Sequence, residues 1–246
     1  MGAIVPGLWG TPQDALSHLI YLFGNQTQLA FGSLNSAING IPPLIHEKFP
    51  CPTKQPCSAL IFIEEATEAI GHPNKLQFLQ LAQKLAASTA MKENQRFSIA
   101  FYGNGIFHKT ELQTFNGFNQ TLTAFIDSIQ TSDSPNAGQT RLAPILTDLR
   151  NVINSGAVQN YAILLMGELE KVLDPNQAST LAQTIGKSGA NVYVLDQSIG
   201  AISNYLWGLL TNFQPNHIIN GSSNNFNSFY DTFEQTLISD FNNYNC

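Results

Sequence analysis

The chain has 246 residues, of which 43% are apolar, so it can bury a substantial core as one large domain or two small ones. It carries 11 Lys+Arg against 17 Asp+Glu, a formal net charge of −6, and no basic cluster. That excludes nucleic acid, whose phosphates need neutralising, and an anionic membrane surface, while no stretch reaches the roughly 20 apolar residues of a membrane span. Only 11% of residues are charged, against about 25% in an average soluble domain. Asn, Gln, Ser and Thr take their place, which suits a secreted, glycosylated surface.

Residues 1–56 differ from the rest. Asp14–Phe23 and Gln28–Ile38 carry helical apolar spacing, with Thr11-Pro12 as a start signal. Ile41-Pro42-Pro43, Pro50-Cys51-Pro52 and Pro56 then interrupt regular structure. This predicts a helical extension and a Pro-rich linker, too apolar at Leu19, Ile20, Leu22 and Phe23 to stand free, and able to mediate homo-oligomer contacts. Met1–Val5 shows neither a basic region nor a sustained apolar one. The chain therefore reads as a mature fragment without its leader, or as a cytosolic protein.

From residue 57 strands and helices alternate. Ala59–Ile63 is an apolar run of the kind buried on both faces. A helix follows from about Pro73, with Leu76, Leu79, Leu81, Ala82, Leu85 and Ala86 on its buried side. Phe97–Phe101 is a strand, and Gly103-Asn104-Gly105 supplies a tight hairpin into Ile106–Thr110. Helices are expected over Phe118–Ile129 and after Thr140, the latter with a stripe of Leu142, Ile145, Leu146, Leu149 and Ile153. Tyr161–Met166 is the next strand. Asp174-Pro175 opens a helix closed by Gly186 or Gly189, and Ala190–Leu195 is a strand. Ala201–Leu210 forms a short helix, His217–Ile219 a short edge strand, and residues 226–237 an aromatic-faced helix. The expected fold is a doubly wound, mostly parallel α/β sheet with one antiparallel edge strand over residues 57–246.

Three segments carry a family resemblance. Glu64-Glu65-Ala66-Thr67-Glu68 ends the first strand, Gly138-Gln139-Thr140 precedes a helix, and Leu164-Leu165-Met166-Gly167 closes another strand. Their order and spacing resemble the von Willebrand factor A (vWA) family, in which Asp-x-Ser-x-Ser, a Gly-Gly-Thr-like loop and Thr-Asp-Gly bind a divalent cation. Glu64, Ala66, Glu68 and Met166 stand at four of those positions, and only Thr140 matches. Ala66 has no side-chain oxygen, Met166 offers a soft thioether to a hard cation, and Glu64 and Glu68 are longer than the residues they replace. The expectation is a degenerate metal-ion-dependent adhesion site without metal or other cofactor, with Glu65 and Glu168 adding acidity and Thr140 acting as a helix N-cap.

The resemblance also implies a disulfide joining the domain ends, Cys57 to Cys246. Cys51 with Cys57 is the competing pair, and three free thiols the further alternative. Asn25, Asn119 and Asn220 head Asn-x-Ser/Thr sequons.

Enzyme signatures are weak. Glu64, Glu65 and Glu68 could pair for acid/base work, but adjacent residues at a strand end diverge. The five histidines (18, 46, 72, 108, 217) are scattered, there is no nucleophile elbow, and Gly103-Asn104-Gly105 lacks the third glycine and lysine of a nucleotide loop. Ile199, Ile202, Tyr205 and Trp207, with Phe115 and Phe118, are interface anchors or core. The reading is a secreted, non-catalytic protein-interaction module. A diverged hydrolase with a carboxylate site at the strand ends and an oligomerising structural subunit are the alternatives.

Overall fold

The computed structural model describes residues 56–89, 95–129, 139–170, 172–198, 205–214, 216–221, 230–231 and 234–236. All belong to the second of the two units into which the chain divides, Gln55–Cys246. The expected N-terminal helices, the Pro-rich linker and most of the aromatic-faced C-terminal helix lie outside the described residues.

The elements are β1 (Ser58–Glu65), α1 (His72–Thr89), β2 (Gln95–Gly103), β3 (Gly105–Lys109), α2 (Phe115–Ile129), α3 (Ala143–Asn154), β4 (Asn160–Gly167), α4 (Pro175–Gly186), β5 (Asn191–Asp196), α5 (Tyr205–Leu210) and β6 (Ile218–Asn220). They build one six-stranded sheet in the order β3-β2-β1-β4-β5-β6. Every pairing is parallel except that of β2 with β3. That exception is the Gly103-Asn104-Gly105 hairpin, where Gly105 adopts φ +132° and a side chain would be strained.

β1 is central and buried at all eight positions, because helices cover both faces of a parallel sheet. Alternation along it defines two cores. On the first face Leu60 and Phe62 meet Phe78, Leu79, Ala82 and Leu85 of α1 and Phe118 and Leu122 of α2. Phe118 stacks on both Phe62 and Phe97, each pair with ring centroids 5.6 Å apart. On the second face Ala59, Ile61 and Ile63 meet Ile145, Leu146 and Leu149 of α3, Leu181 and Ile185 of α4, and Trp207 and Leu210 of α5. Burying each large apolar side chain contributes about 1.5–3 kcal/mol.

Some local expectations shift. In α1, Phe78 is fully buried while Leu76 is only half-buried. α2 starts at Phe115, one turn before Phe118, so that Phe115 packs against Phe97. Phe118 and Trp207 are core residues, whereas Tyr205 and Phe213 are exposed with rings 6.0 Å apart. Ile199 and Ile202 lie outside the described residues.

Candidate functional site at the strand ends

Parallel strands deliver their carboxyl ends, and the loops that follow, to one edge of the sheet. β1 arrives there with Glu64 and Glu65. Successive side chains on a strand point to opposite faces, so Glu65 continues the face of Ile61 and Ile63, and Glu64 that of Leu60 and Phe62.

Glu65 gathers the strand-end loops around one carboxylate. Its Oε1 accepts hydrogen bonds from Thr67 Oγ1 at 2.7 Å and Thr140 Oγ1 at 2.6 Å. Its Oε2 accepts the backbone N–H of Glu168 at 2.8 Å. The Tyr102 hydroxyl lies 3.5 Å from Oε2 and 3.4 Å from the Met166 carbonyl, a long, shared donation. Thr67, Thr140, Tyr102 and Glu168 are all buried. Burial raises the Glu65 pKa above the usual carboxylate value, and the bonds from Thr140, Glu168, Thr67 and Tyr102 oppose that rise. The Tyr102 hydroxyl is pushed well above its ordinary value by burial and by the nearby Glu65 charge. A methyl on Gly167 would fall 2.2 Å from Tyr102 Oη and 3.1 Å from Glu65 Oε2, so only glycine fits behind the carboxylate.

Glu64 occupies a contrasting setting. It is fully buried, and neither carboxyl oxygen finds a hydrogen-bond partner among the described residues. Burial drives its pKa well above the usual value, with the charge of Lys75 pulling the other way. Lys75 is itself buried and donates to the Ala66 carbonyl at 3.1 Å.

The five positions singled out by the motif therefore separate. Thr140 joins the Glu65 cluster. Glu64 and Met166, in register as neighbours on β1 and β4, lie on the other face, where Met166 is core. Ala66 is buried in the first core, and Glu68 is exposed in the following turn. Thr67 and Tyr102 were not singled out from the sequence, although reading β1 by its two-residue period pairs Glu65, not Glu64, with the second face. Thr140 is not a helix N-cap, contrary to expectation. The cap is Leu142, and the N–H groups of Leu142 and Ala143 donate to Asp174 Oδ1 and Oδ2 at 2.9 and 3.0 Å. Asp174 can reach them from the start of α4, while Glu65 claims the Thr140 hydroxyl.

The Glu65 carboxylate is engaged by protein donors. An ionised carboxylate has about four lone-pair positions, and protein donors face all four on Glu65. Both threonine hydroxyls lie within hydrogen-bond distance of Oε1. Among the described residues no group of three or more His, Cys, Asp and Glu side chains is arranged to hold a metal ion.

Other singled-out residues are dispersed. Cys57 is disulfide-bonded, while Cys51 and Cys246 lie outside the described residues, as does Asn25. Asn119 sits in α2, its Oδ1 accepting from Gln83 Nε2 at 3.0 Å across to α1. Asn220 is exposed at the end of β6. A groove of about 430 Å³ lies between α3 and the β1–β3 side of the sheet, lined in part by Ile61, Ile63, Ala100, Lys109, Asp148 and Leu149. Neither Glu64 nor Glu65 lines it.

No protein-family model and no curated protein matches the chain. Solved structures do. The vWF domain of the type V pili tip protein Mfa5 from Porphyromonas gingivalis aligns over 75% of this chain and 96% of its own, with a TM-score of 0.55 and 12% identity. Manganese-loaded Plasmodium vivax TRAP protein aligns over 73% of this chain and 74% of its own, with a TM-score of 0.54 and 14% identity. The human COPII-coat protein Sec24c aligns over 74% of this chain at a TM-score of 0.58 and 10% identity, and this chain spans 32% of its length. At such identities the likeness is one of fold: the chain has a von Willebrand factor A-like fold.

Proposed function

We propose that this chain is a non-catalytic, extracellular protein-interaction module whose strand-end site works without a divalent cation. The observation that carries this reading is the Glu65 carboxylate, filled by Thr67, Thr140, Glu168 and Tyr102. Hydrogen bonds within the chain hold the three strand-end loops together, which is the mechanical task a bound cation performs when it bridges loops. Two structures it matches in fold are a pilus tip protein and a pilus adhesin, SpaC from Lactobacillus rhamnosus GG, which supports protein binding as its class of work. The low charge content, the exposed Asn220 sequon and the bonded Cys57 support an extracellular setting. Within this reading Cys57 pairs with Cys246, closing the domain on itself.

Thermal unfolding of the full chain in Mg²⁺, Mn²⁺ or EDTA tests the proposal. A cation bound at a Kd of about 1 µM would add about 4 kcal/mol of stability at 1 mM metal. The expected result is one transition temperature in all three conditions. A rise in metal that Glu65→Gln removes would overturn the reading.

A further inference from the structure

Between Asp196 and Asp231 the chain contains no Asp, Glu, Lys or Arg. Helix α5 lies in this stretch and begins with Tyr205, 59% exposed, while Phe213, just beyond its end, is 60% exposed. The two ring centroids are 6.0 Å apart and the faces are inclined at 52°. The backbone bends to put Phe213 there. Asn212 and Phe213 both adopt φ +53°, in the left-handed region that Asn tolerates and a bulky side chain resists. The Phe213 N–H donates to the Gly208 carbonyl at 2.7 Å and closes the end of α5. Its ring lies on Gly208, where an added methyl would fall 2.5 Å from Phe213 Cε1 and 2.7 Å from Cδ1. Glycine is thus required beneath the ring, although most of the ring faces solvent. Apolar burial offsets little of the strain at Phe213, and strain that burial leaves standing points to a ligand.

The polar groups alongside are neutral. Asn212 and Gln214 flank Phe213 and are exposed, and Tyr205 adds a hydroxyl. Carboxamides and hydroxyls both donate and accept, as the hydroxyls of a sugar do, and an aromatic face suits the C–H face of a pyranose. The imidazole of the stretch, His217, is turned to the Val192 carbonyl and the Tyr193 ring. We propose that Tyr205 and Phe213 form a platform for a neutral carbohydrate, stacked on the rings and hydrogen-bonded by Asn212 and Gln214. The inference goes beyond the protein-interaction reading and uses none of the residues around Glu65. Gly186 abuts the backbone of Leu209 and Asn212, which brings the exposed Lys187 into the neighbourhood, so the test includes anionic glycans.

The full chain is applied to an array of neutral and anionic glycans and to phosphatidylcholine vesicles, and the strongest binder is titrated by NMR. The expected result is a neutral oligosaccharide whose binding is insensitive to added salt and shifts the Tyr205 and Phe213 ring resonances saturably. Phe213→Gly and Tyr205→Ala should each lower its affinity about tenfold or more. Phe213→Gly supplies the residue that suits φ +53° and Tyr205→Ala alters an exposed helical position, so both should melt near the wild-type temperature, which controls for folding. Four results would each overturn the platform: no neutral glycan bound, a preference for anionic glycans that salt removes, binding to the vesicles in place of sugars, or unchanged affinity in the two variants. None of these outcomes bears on metal independence, which the melting experiment decides alone.

Discussion

Glu64 and Glu65 are adjacent on β1 and face opposite sides of the sheet, one without a hydrogen-bond partner among the described residues and the other with its carboxylate filled by donors. Two identical side chains thereby acquire opposite roles. Glu65 organises the strand ends, and Glu64 is a buried acid that the fold tolerates beside Lys75.

Glu64 makes stability depend on pH. Its pKa is raised in the folded state, whereas in the unfolded chain it titrates near the ordinary value of about 4.3. Between those values the folded state holds the extra proton, so stability falls as pH rises. Glu64→Gln removes this dependence. The variant should match the wild type near pH 4 and exceed it increasingly toward pH 8, by about 2–4 °C in Tm per kcal/mol recovered. Parallel melting curves at all pH values would refute the assignment.

The threonines act through Glu65. Thr140→Val removes a short donor to a buried carboxylate and should cost about 1–3 kcal/mol, with Thr140→Ser close to wild type. The lost bond favoured the ionised acid, so its removal raises the Glu65 pKa further. The penalty should therefore be larger at pH 8 than at pH 4, as read by denaturant titration at both values. A double-mutant cycle with Glu65→Gln should show coupling. Additive losses would mean that the hydroxyl and the carboxylate do not act together.

Much of this architecture is legible in residue pattern alone. The Ala59–Ile63 run, the Gly103–Gly105 hairpin and the stripes of α3 and α4 each follow from one local period or one turn requirement, and together they imply a mostly parallel sheet with one antiparallel edge strand. The site is less legible because its geometry depends on a single step of register. Either of two consecutive glutamates at the end of β1 can be aligned with the motif's first position, and a shift of one residue exchanges the faces of the sheet. Tyr102 reaches Glu65 across 37 positions and Asp174 caps α3 from 32 positions beyond Leu142. Such contacts are made by the tertiary fold, and no local spacing announces them.

Asp174 belongs to α3 energetically although it precedes α4 in sequence. Its two oxygens satisfy N–H groups at the start of α3, where the helix dipole also favours a negative charge. Asp174→Ala should cost about 0.5–2 kcal/mol, and Asp174→Asn a smaller amount because one acceptor remains. Hydrogen exchange should locate the loss, with the Leu142 and Ala143 amides losing protection before those of α4. Faster exchange in the first turn of α4 instead would show that Asp174 caps its own helix.

Gly167 tests whether the cluster is as closely packed as its distances imply. Its backbone passes so near Tyr102 and Glu65 that a methyl group would overlap the phenol oxygen and crowd the carboxylate. Gly167→Ala should therefore destabilise by about 1–3 kcal/mol through overpacking, although a small methyl is the only group added. The phenol oxygen is the nearest obstacle, so Tyr102→Phe should open space for that methyl while losing only a long hydrogen bond of 3.5 Å. The double variant is then expected to be more stable than Gly167→Ala alone, a reversal that simple addition of two damaging substitutions excludes. If Tyr102→Phe instead deepens the loss, the Tyr102 hydroxyl holds Glu65 and the Met166 carbonyl together more tightly than its distances indicate, and the strain from the methyl is relieved elsewhere.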